Sequence, residues 1–257
     1  MIGAIAGDIV GSAYEFGRTK RKDFPLFGPD SEFTDDSVLT AAVAQAILSD
    51  GDYRRTVLEF GRRYPGRGYG GGFQGWLDSS DPKPYDSWGN GSAMRVSPVG
   101  FAFDTVEDVL REAKRSAEFT HNHPEGVKGA QAAALAVYLA RTAKDKDVLR
   151  TEIAGRFGYD LARTVDGIRP GFGHDESCQR TVPESVVCFL ESTSYEDAVR
   201  NAVSLGGDAD TLACITGGIA EAFYGPVPAG IRAKAKKILA PELWTVVEAF
   251  RKKFGIA

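Results

Sequence analysis

Apolar positions recur every three to four residues along most of this chain, the repeat of an α-helix with one buried face. Residues 53–64 and 106–119 alternate apolar and charged side chains in this way and predict amphipathic helices. The run 38–48, VLTAAVAQAIL, is Ala-rich and apolar nearly all round, which predicts a helix buried on every side. Residues 125–144 are again Ala-rich, opened by Pro124 and closed by a Lys-Asp-Lys-Asp turn. The spans 148–157, 184–191, 195–204 and 211–223 continue the pattern, Pro228 opens 229–239, and Pro241 opens the last helix. Proline is tolerated in a first turn because its missing N–H has no intrahelical partner there. No stretch sustains a period of two between tight-turn residues, so strands are not expected. Residues 65–91 and 167–183, rich in Gly, Pro and Asp, predict two long irregular segments, and loops of that length usually carry function. The pattern predicts an all-α fold, and 257 residues fit a single domain spanning 1–257.

Composition narrows the function by exclusion. A net charge of −4 gives no general attraction to nucleic acid or to anionic membranes. The apolar stretches are broken well short of the roughly 20 residues that span a bilayer. The first ten residues lack the basic front and cleavage site of a secretory signal. A cytoplasmic location without membrane or direct nucleic-acid binding is expected. The cysteines, Cys178, Cys188 and Cys214, are few, odd in number and in no C-x-x-C pair, which argues against a disulfide framework. Cys188 and Cys214 lie in apolar helical runs and read as core filling.

Two acidic clusters change the picture. Thr34-Asp35-Asp36-Ser37 directly precedes the apolar run that begins at Val38, and Gly206-Gly207-Asp208-Ala209-Asp210-Thr211 directly precedes 212–223. Each alone reads as a helix cap, because Thr, Asp and Ser suit the N-cap and carboxylates suit the positive end of the helix dipole. One cap needs one side chain, however, and the second cluster supplies two carboxylates and a hydroxyl. Crowded carboxylates repel unless protonated or neutralised by metal, and hard divalent cations take oxygen ligands. Two such ions, typically about 3.5–4 Å apart, would cancel that charge and hold a shared water. Three poorly spaced histidines do not make a zinc site, so two Mg²⁺ or Mn²⁺ ions are expected.

Between the clusters lie segments suited to an anionic ligand. Arg67-Gly68-Tyr69-Gly70-Gly71-Gly72 would let backbone N–H groups approach an anion closely, though an ordinary flexible loop has the same composition. Residues 89–95, GNGSAMR, open another helix, where Ser92 would cap and the preceding glycines would admit phosphate or ribose. Tyr85, Ser87 and Trp88 stand just before it, and an aromatic there would either stack on a base or pack under the loop. Arg95 is expected to pair with an acid in the core. His121 and His123 flank Asn122 before Pro124, and His123 reads as a structural hydrogen-bonder. His174 has no assignable role.

The motifs FTDDS, YDSWGNGSAMRVSPVG, THNHPEG and GGDADTLACITGGIAEAFYG run in this order from Gly3 to beyond Gly225. They resemble those of the ADP-ribosylglycohydrolases, which include the dinitrogenase-reductase-activating glycohydrolase and the ADP-ribosyl-acceptor hydrolases, and the resemblance covers nearly the whole chain. It implies a single compact orthogonal all-α domain of the ADP-ribosylglycohydrolase type, with a dinuclear Mg²⁺ or Mn²⁺ centre at the base of a cleft. Its metal ligands would be Thr34, Asp35, Asp36, Asp208, Asp210 and Thr211. Residues 3–16 look like the family's opening helix, whose acidic residue falls on Glu15 at the site mouth. Gly70 and Gly71 would meet a diphosphate. Asn90, Gly91 and Ser92, with Ser87 and Trp88 before them, would shape the nucleotide pocket, and His121 would lie beside the diphosphate.

The implied reaction is hydrolysis of the glycosidic bond at ribose C1″ of an ADP-ribosylated protein, arginine- or serine-linked, through an oxocarbenium-like transition state. Asp36, Asp208 and Glu15 are the candidates for proton transfer. In some members another acid falls where this chain has Gly70-Gly71-Gly72, so that variant of the mechanism is not expected here. The alternatives are a small conjugate such as O-acetyl-ADP-ribose as substrate, or a catalytically silent ADP-ribose-binding protein. Intact acidic clusters argue against silence. A monomer is expected, with acceptor choice at a rim formed by residues 18–30 and 167–183.

Overall fold

The structure, a computed structural model, describes residues 1–17 and 19–256. Arg18, which opens the expected rim segment 18–30, lies outside the described residues. In chain order the helices are α1 (Ile2–Ser12), α2 (Asp35–Leu48), α3 (Tyr53–Arg63), α4 (Gly71–Asp78), α5 (Gly91–Met94), α6 (Ser97–Ala102), α7 (Val106–Ala117) and α8 (Pro124–Thr142). They continue as α9 (Lys146–Phe157), α10 (Val165–Ile168), α11 (Cys178–Leu190), α12 (Tyr195–Val203), α13 (Ala209–Tyr224), α14 (Ala229–Ile238) and α15 (Pro241–Phe254). Among the described residues there is no strand, only an isolated antiparallel bridge between Gly89 and Ser177. None of these helices is long and apolar enough to cross a membrane.

The centre of the fold is the pair α1 and α13. Every residue of α1 from Ile2 to Gly11 and of α13 from Ala209 to Ala222 is buried. Their backbones touch because Gly3, Gly7 and Gly11 form a stripe at four-residue spacing along α1. A Cβ on Gly7 would sit 2.0 Å from the Ala213 carbonyl oxygen, and one on Gly3 would sit 2.4 Å from that of Gly217. The obstacle is backbone on a buried helix, which cannot swing aside as a side chain can. Gly7→Ala is therefore expected to cost about 3 kcal/mol or more, the upper end for overpacking, and to lower the melting temperature by roughly 6–12 °C in a thermal melt. Around this pair, α13 also packs on α8, α11 and α12, while α2 carries α3 and α15.

Side-chain caps set several helix starts. Thr34, Asp52, Thr105, Asp145 and Ser194 each accept a first-turn N–H at the N-cap of α2, α3, α7, α9 and α12. His123 does the same for α8, its Nδ1 accepting from Glu125 N at 3.1 Å, which is the structural role expected of it. All three cysteines are free and buried.

Three boundaries differ from the sequence pattern. The segment 65–91 contains α4, whose glycine-rich start hides its period but whose Phe73, Trp76 and Leu77 are buried at helical spacing. α11 starts at Cys178 rather than at 184 and carries Pro183 in its second turn, where the missing N–H leaves the Gln179 carbonyl without its usual partner. α1 stops at Ser12, so Glu15 stands in the turn beyond the helix rather than on it.

Candidate metal centre and ligand cleft

The N-termini of α2 and α13 meet at the floor of one cleft, a cavity of about 270 Å³ open to solvent. At the start of α2, Thr34 caps the helix, its hydroxyl accepting from Asp36 N. Capping accounts for Thr34 alone. Asp36, 1% exposed, turns inward, where its Oδ2 accepts from Thr34 Oγ1 at 3.4 Å and from Thr211 Oγ1 at 3.3 Å. Its Oδ1 is buried with no partner among the described residues. At the start of α13, Asp208 occupies the N-cap position but its side chain caps nothing; it accepts from Asn90 Nδ2 at 2.7 Å instead. Asp210 Oδ1 accepts from Thr211 N at 2.9 Å. The helix-cap reading thus leaves most of this oxygen unexplained.

Asp8 joins them from α1, and the sequence pattern did not single it out. The signal was present: one carboxylate inside the otherwise apolar, glycine-rich run IGAIAGDIVGS. Asp8 is 0% exposed and accepts from Thr34 N, Thr34 Oγ1, Ser37 N and Ser37 Oγ. Carboxylate oxygens of Asp8, Asp36 and Asp210 lie within 4.8 Å of one another, as do those of Glu15, Asp208 and Asp210. The two groups share Asp210.

Protonation is pushed the same way at Asp8, Glu15, Asp35, Asp36 and Asp208. Burial, then the charge of Asp210, raises Asp8 to about 7 against an ordinary 3.8. The same two causes raise Glu15 to about 7 and hold Asp35, Asp36 and Asp208 well above the usual carboxylate range. A floor of oxygen donors that resists ionisation, with one carboxylate oxygen buried and unpartnered, fits hard divalent cations. Thr34, Asp35, Asp36, Asp208, Asp210 and Thr211 all line this cleft and are the residues available to hold them.

The walls come from the intervening segments. Gly70, Gly71, Ser87, Asn90, Gly91 and His121 line the cleft together with Glu15, Tyr85 and Glu176. Gly70 and Gly71 line the cleft at the N-terminus of α4 and have open space where a Cβ would stand. Asn90 ties wall to floor, donating from Nδ2 to Thr181 Oγ1 as well as to Asp208. His121 is buried, its Nδ1 2.8 Å from Thr120 Oγ1. Burial and the neighbouring Arg95 hold its pKa well below 6.5, which keeps the ring neutral.

Two expected residues are not brought to the cleft surface. Ser92 is 0% exposed, caps nothing, and donates to the Gly126 carbonyl at 2.7 Å. Trp88 is 54% exposed on the rim, edge-on to His123 at 5.7 Å. Arg95 does not find the core acid expected for it. It lies fully buried over the Phe119 ring and donates to the Ser116 carbonyl and Thr120 Oγ1, and burial lowers its pKa to about 10. His174 pairs with Glu176 at 2.9 Å. Glu176 is held against the wall through its own carbonyl, which accepts from Asn90 N at 2.7 Å.

Comparison with known proteins places the chain in a family. The sequence profile of the ADP-ribosylglycohydrolase family matches residues 1–255. Human "ADP-ribosylhydrolase ARH3" is 27% identical over 88% of this chain and 84% of its own length. "ADP-ribosylarginine hydrolase Tri1" of Pseudomonas putida is 26% identical over 88% of this chain and 69% of its own. A solved structure titled "ADP-ribosylglycohydrolase-related protein complex" superposes with a TM-score of 0.74 at 25% identity, covering 98% of this chain and 96% of that one.

Proposed function

The chain belongs to the ADP-ribosylglycohydrolase family, and on that premise we propose that it removes ADP-ribose from modified proteins by metal-dependent hydrolysis at ribose C1″, with two Mg²⁺ or Mn²⁺ ions held by Thr34, Asp35, Asp36, Asp208, Asp210 and Thr211. The observation that carries the reading is Asp36 Oδ1, a carboxylate oxygen buried without a partner among further carboxylates at the base of the cleft. Such an atom is costly unless a cation completes it. Bound divalent ions would neutralise the floor, orient the ribose hydroxyls and supply a water of lowered pKa.

The remaining roles fall to the chain itself. The first N–H groups of α4 and the Gly91 backbone receive the diphosphate, since Arg95, the one Lys or Arg among the described lining residues, is fully buried. Asn90 fixes the Asp208 carboxylate from one side. Neutral His121 aims Nε2 at the same cradle, 3.1 Å from where a Gly91 Cβ would stand. Asp36, Asp208 and Glu15 are the proton-transfer candidates. Glu15 suits transfer to the leaving group, because it belongs to no helix, is only partly buried, and sits with its carboxylate beside those of Asp208 and Asp210.

On the acceptor side, Glu15 and Glu176 place carboxyl oxygens in the cleft lining, acceptors matched to the N–H donors of a guanidinium. That favours a cationic guanidinium over a serine hydroxyl as the leaving group. The test is a panel of arginine-, serine- and acetyl-linked ADP-ribose, with divalent metal and with chelator. Metal-requiring release, fastest from the arginine conjugate, is expected. Equal release in chelator sinks the reading, and tight metal-dependent ADP-ribose binding without turnover of any conjugate leaves a binding protein instead.

A second measurement concerns Trp88. Exposed at the rim, it contributes little to the core, so Trp88→Ala should leave the melting temperature unchanged. If its ring stacks on adenine, the Kd for ADP-ribose rises roughly 5- to 100-fold, the range for losing one base-stacking aromatic. An unchanged Kd assigns it no ligand contact.

A further inference from the structure

Asp8 is the carboxylate of the floor that this ligand set does not use. A carboxylate offers about four lone-pair sites. Asp8 Oδ2 accepts from Thr34 N and Ser37 N, each at 3.1 Å, and from Ser37 Oγ. Its Oδ1 accepts from Thr34 Oγ1 at 2.7 Å. Three of these donors crowd Oδ2 and one holds Oδ1, so Asp8 spends most of its acceptor capacity on the first turn of α2 and keeps a single lone pair, on Oδ1.

The same count at Thr34 is informative. Its hydroxyl has one proton and two acceptors in reach, Asp8 Oδ1 at 2.7 Å and Asp36 Oδ2 at 3.4 Å. The shorter, charge-assisted bond takes the proton. The hydroxyl also accepts from Asp36 N at 3.3 Å. What remains is one lone pair, with the proton committed to α1. We infer that Asp8 is a positioning residue: it holds the Thr34 hydroxyl in the one orientation in which that oxygen coordinates a divalent cation and cannot donate to the floor. The inference rests on the proposed metal-dependent reading of this site.

The packing supports it. Asp8 stands between Gly7 and Gly11, whose missing side chains press α1 against α13, the helix that carries Asp210. Asp8 therefore ties the first turn of α2 to the same rigid pair that fixes the other half of the floor. Asparagine at this position has the same size but presents an NH₂ where an oxygen accepted, so a donor faces either Thr34 Oγ1 or the Ser37 donors.

The test is Mn²⁺ affinity of the full chain without substrate, by calorimetry, with ADP-ribose release as a second readout. Asp8→Asn is expected to raise the Mn²⁺ Kd at least 10-fold, with kcat at saturating Mn²⁺ within a few-fold of wild type and a retained cooperative melt. Thr34→Val should raise the Mn²⁺ Kd by at least as much, and the double variant should bind no more weakly than the weaker single one, the non-additivity of two residues acting through one contact. Asp8→Asn binding Mn²⁺ as tightly as wild type, or effects that multiply in the double variant, overturns the inference while leaving metal dependence intact. Wild-type protein that binds no Mn²⁺ overturns both. Should Asp8→Asn fail to fold, the hydroxyl decides: Thr34→Ser keeping wild-type affinity while Thr34→Val loses 10-fold supports the inference, and equal affinities of the two overturn it.

Discussion

Replacing Asp208 with alanine is expected to lower kcat/KM for ADP-ribose release about 10³-fold or more, the size of loss seen when one member of an interdependent catalytic set is removed, with no loss of stability. The second half of that expectation comes from the local geometry. Asp208 stands at the N-cap position of α13 yet makes no cap hydrogen bond, so the helix loses none when the side chain goes. Of its hydrogen-bond partners, the Asn90 amide keeps Thr181 Oγ1 as an acceptor for the same nitrogen. Burial and the charge of Asp210 hold the Asp208 pKa well above the usual carboxylate range, so ionised Asp208 opposes the fold in the absence of metal. Removing it relieves that repulsion. An activity collapse together with an equal or higher melting temperature would mark a group retained for binding a cation.

Asp35→Ala should behave alike, because the bond that anchors this turn is made by its backbone N–H, to the Arg67 carbonyl at 2.7 Å, and survives the substitution. Release assays on both variants, and on wild type in chelator, read the effect. Full activity in either variant, or in chelator, would remove the dinuclear centre from the mechanism.

The halves of this site differed in how plainly the chain announced them. Asp36 and Asp208 were legible because carboxylates directly before apolar helical runs exceed what capping needs, and helix starts are local features. The all-α architecture was legible for the same reason, as in the run 38–48, which lies within the buried α2. Asp8 left a weaker trace, one acid in an apolar glycine run, which becomes meaningful only once α1 is seen lying against α2 and α13. The partners of Ser92 and Arg95 could not be read, although Arg95 is buried in the core as expected. The partners that hold them, Gly126 for one and Ser116 and Thr120 for the other, are 21 to 34 residues distant in sequence. Their direction is a property of how α5 packs on α7 and α8. α4 was hidden by its glycines, since its burial depends on Phe73 stacking between Tyr69 and Trp76.

Without divalent cation the melting temperature is expected to fall as pH rises from about 5 to about 8, and Mg²⁺ should restore far more of it at the upper end. The sign follows from the direction of the shifts. Asp8 is raised from 3.8 to about 7, and Asp35, Asp36 and Asp208 are raised as well, by burial first and by Asp210 second. Between these limits the folded chain holds protons that the unfolded chain has released. The contribution to stability is therefore fully present below the unfolded carboxylate pKa near 4 and is lost as pH rises through the folded value. For Asp8 alone the shift corresponds to roughly 4 kcal/mol lost by about pH 8. Divalent cations compete with the protons on Asp35, Asp36 and Asp208 for the same oxygens, so at low pH they find the floor occupied and at high pH they find it ionised. Their stabilisation, which grows with the ratio of ion concentration to Kd, must then increase with pH. Thermal melts in chelator and in Mg²⁺ at the two pH values measure both slopes. An equal Mg²⁺ shift at both, or a chelated protein more stable at the higher pH, would show that protons and metal do not share this floor. Asp208→Ala should flatten both slopes, because it removes one of the carboxylates for which they compete.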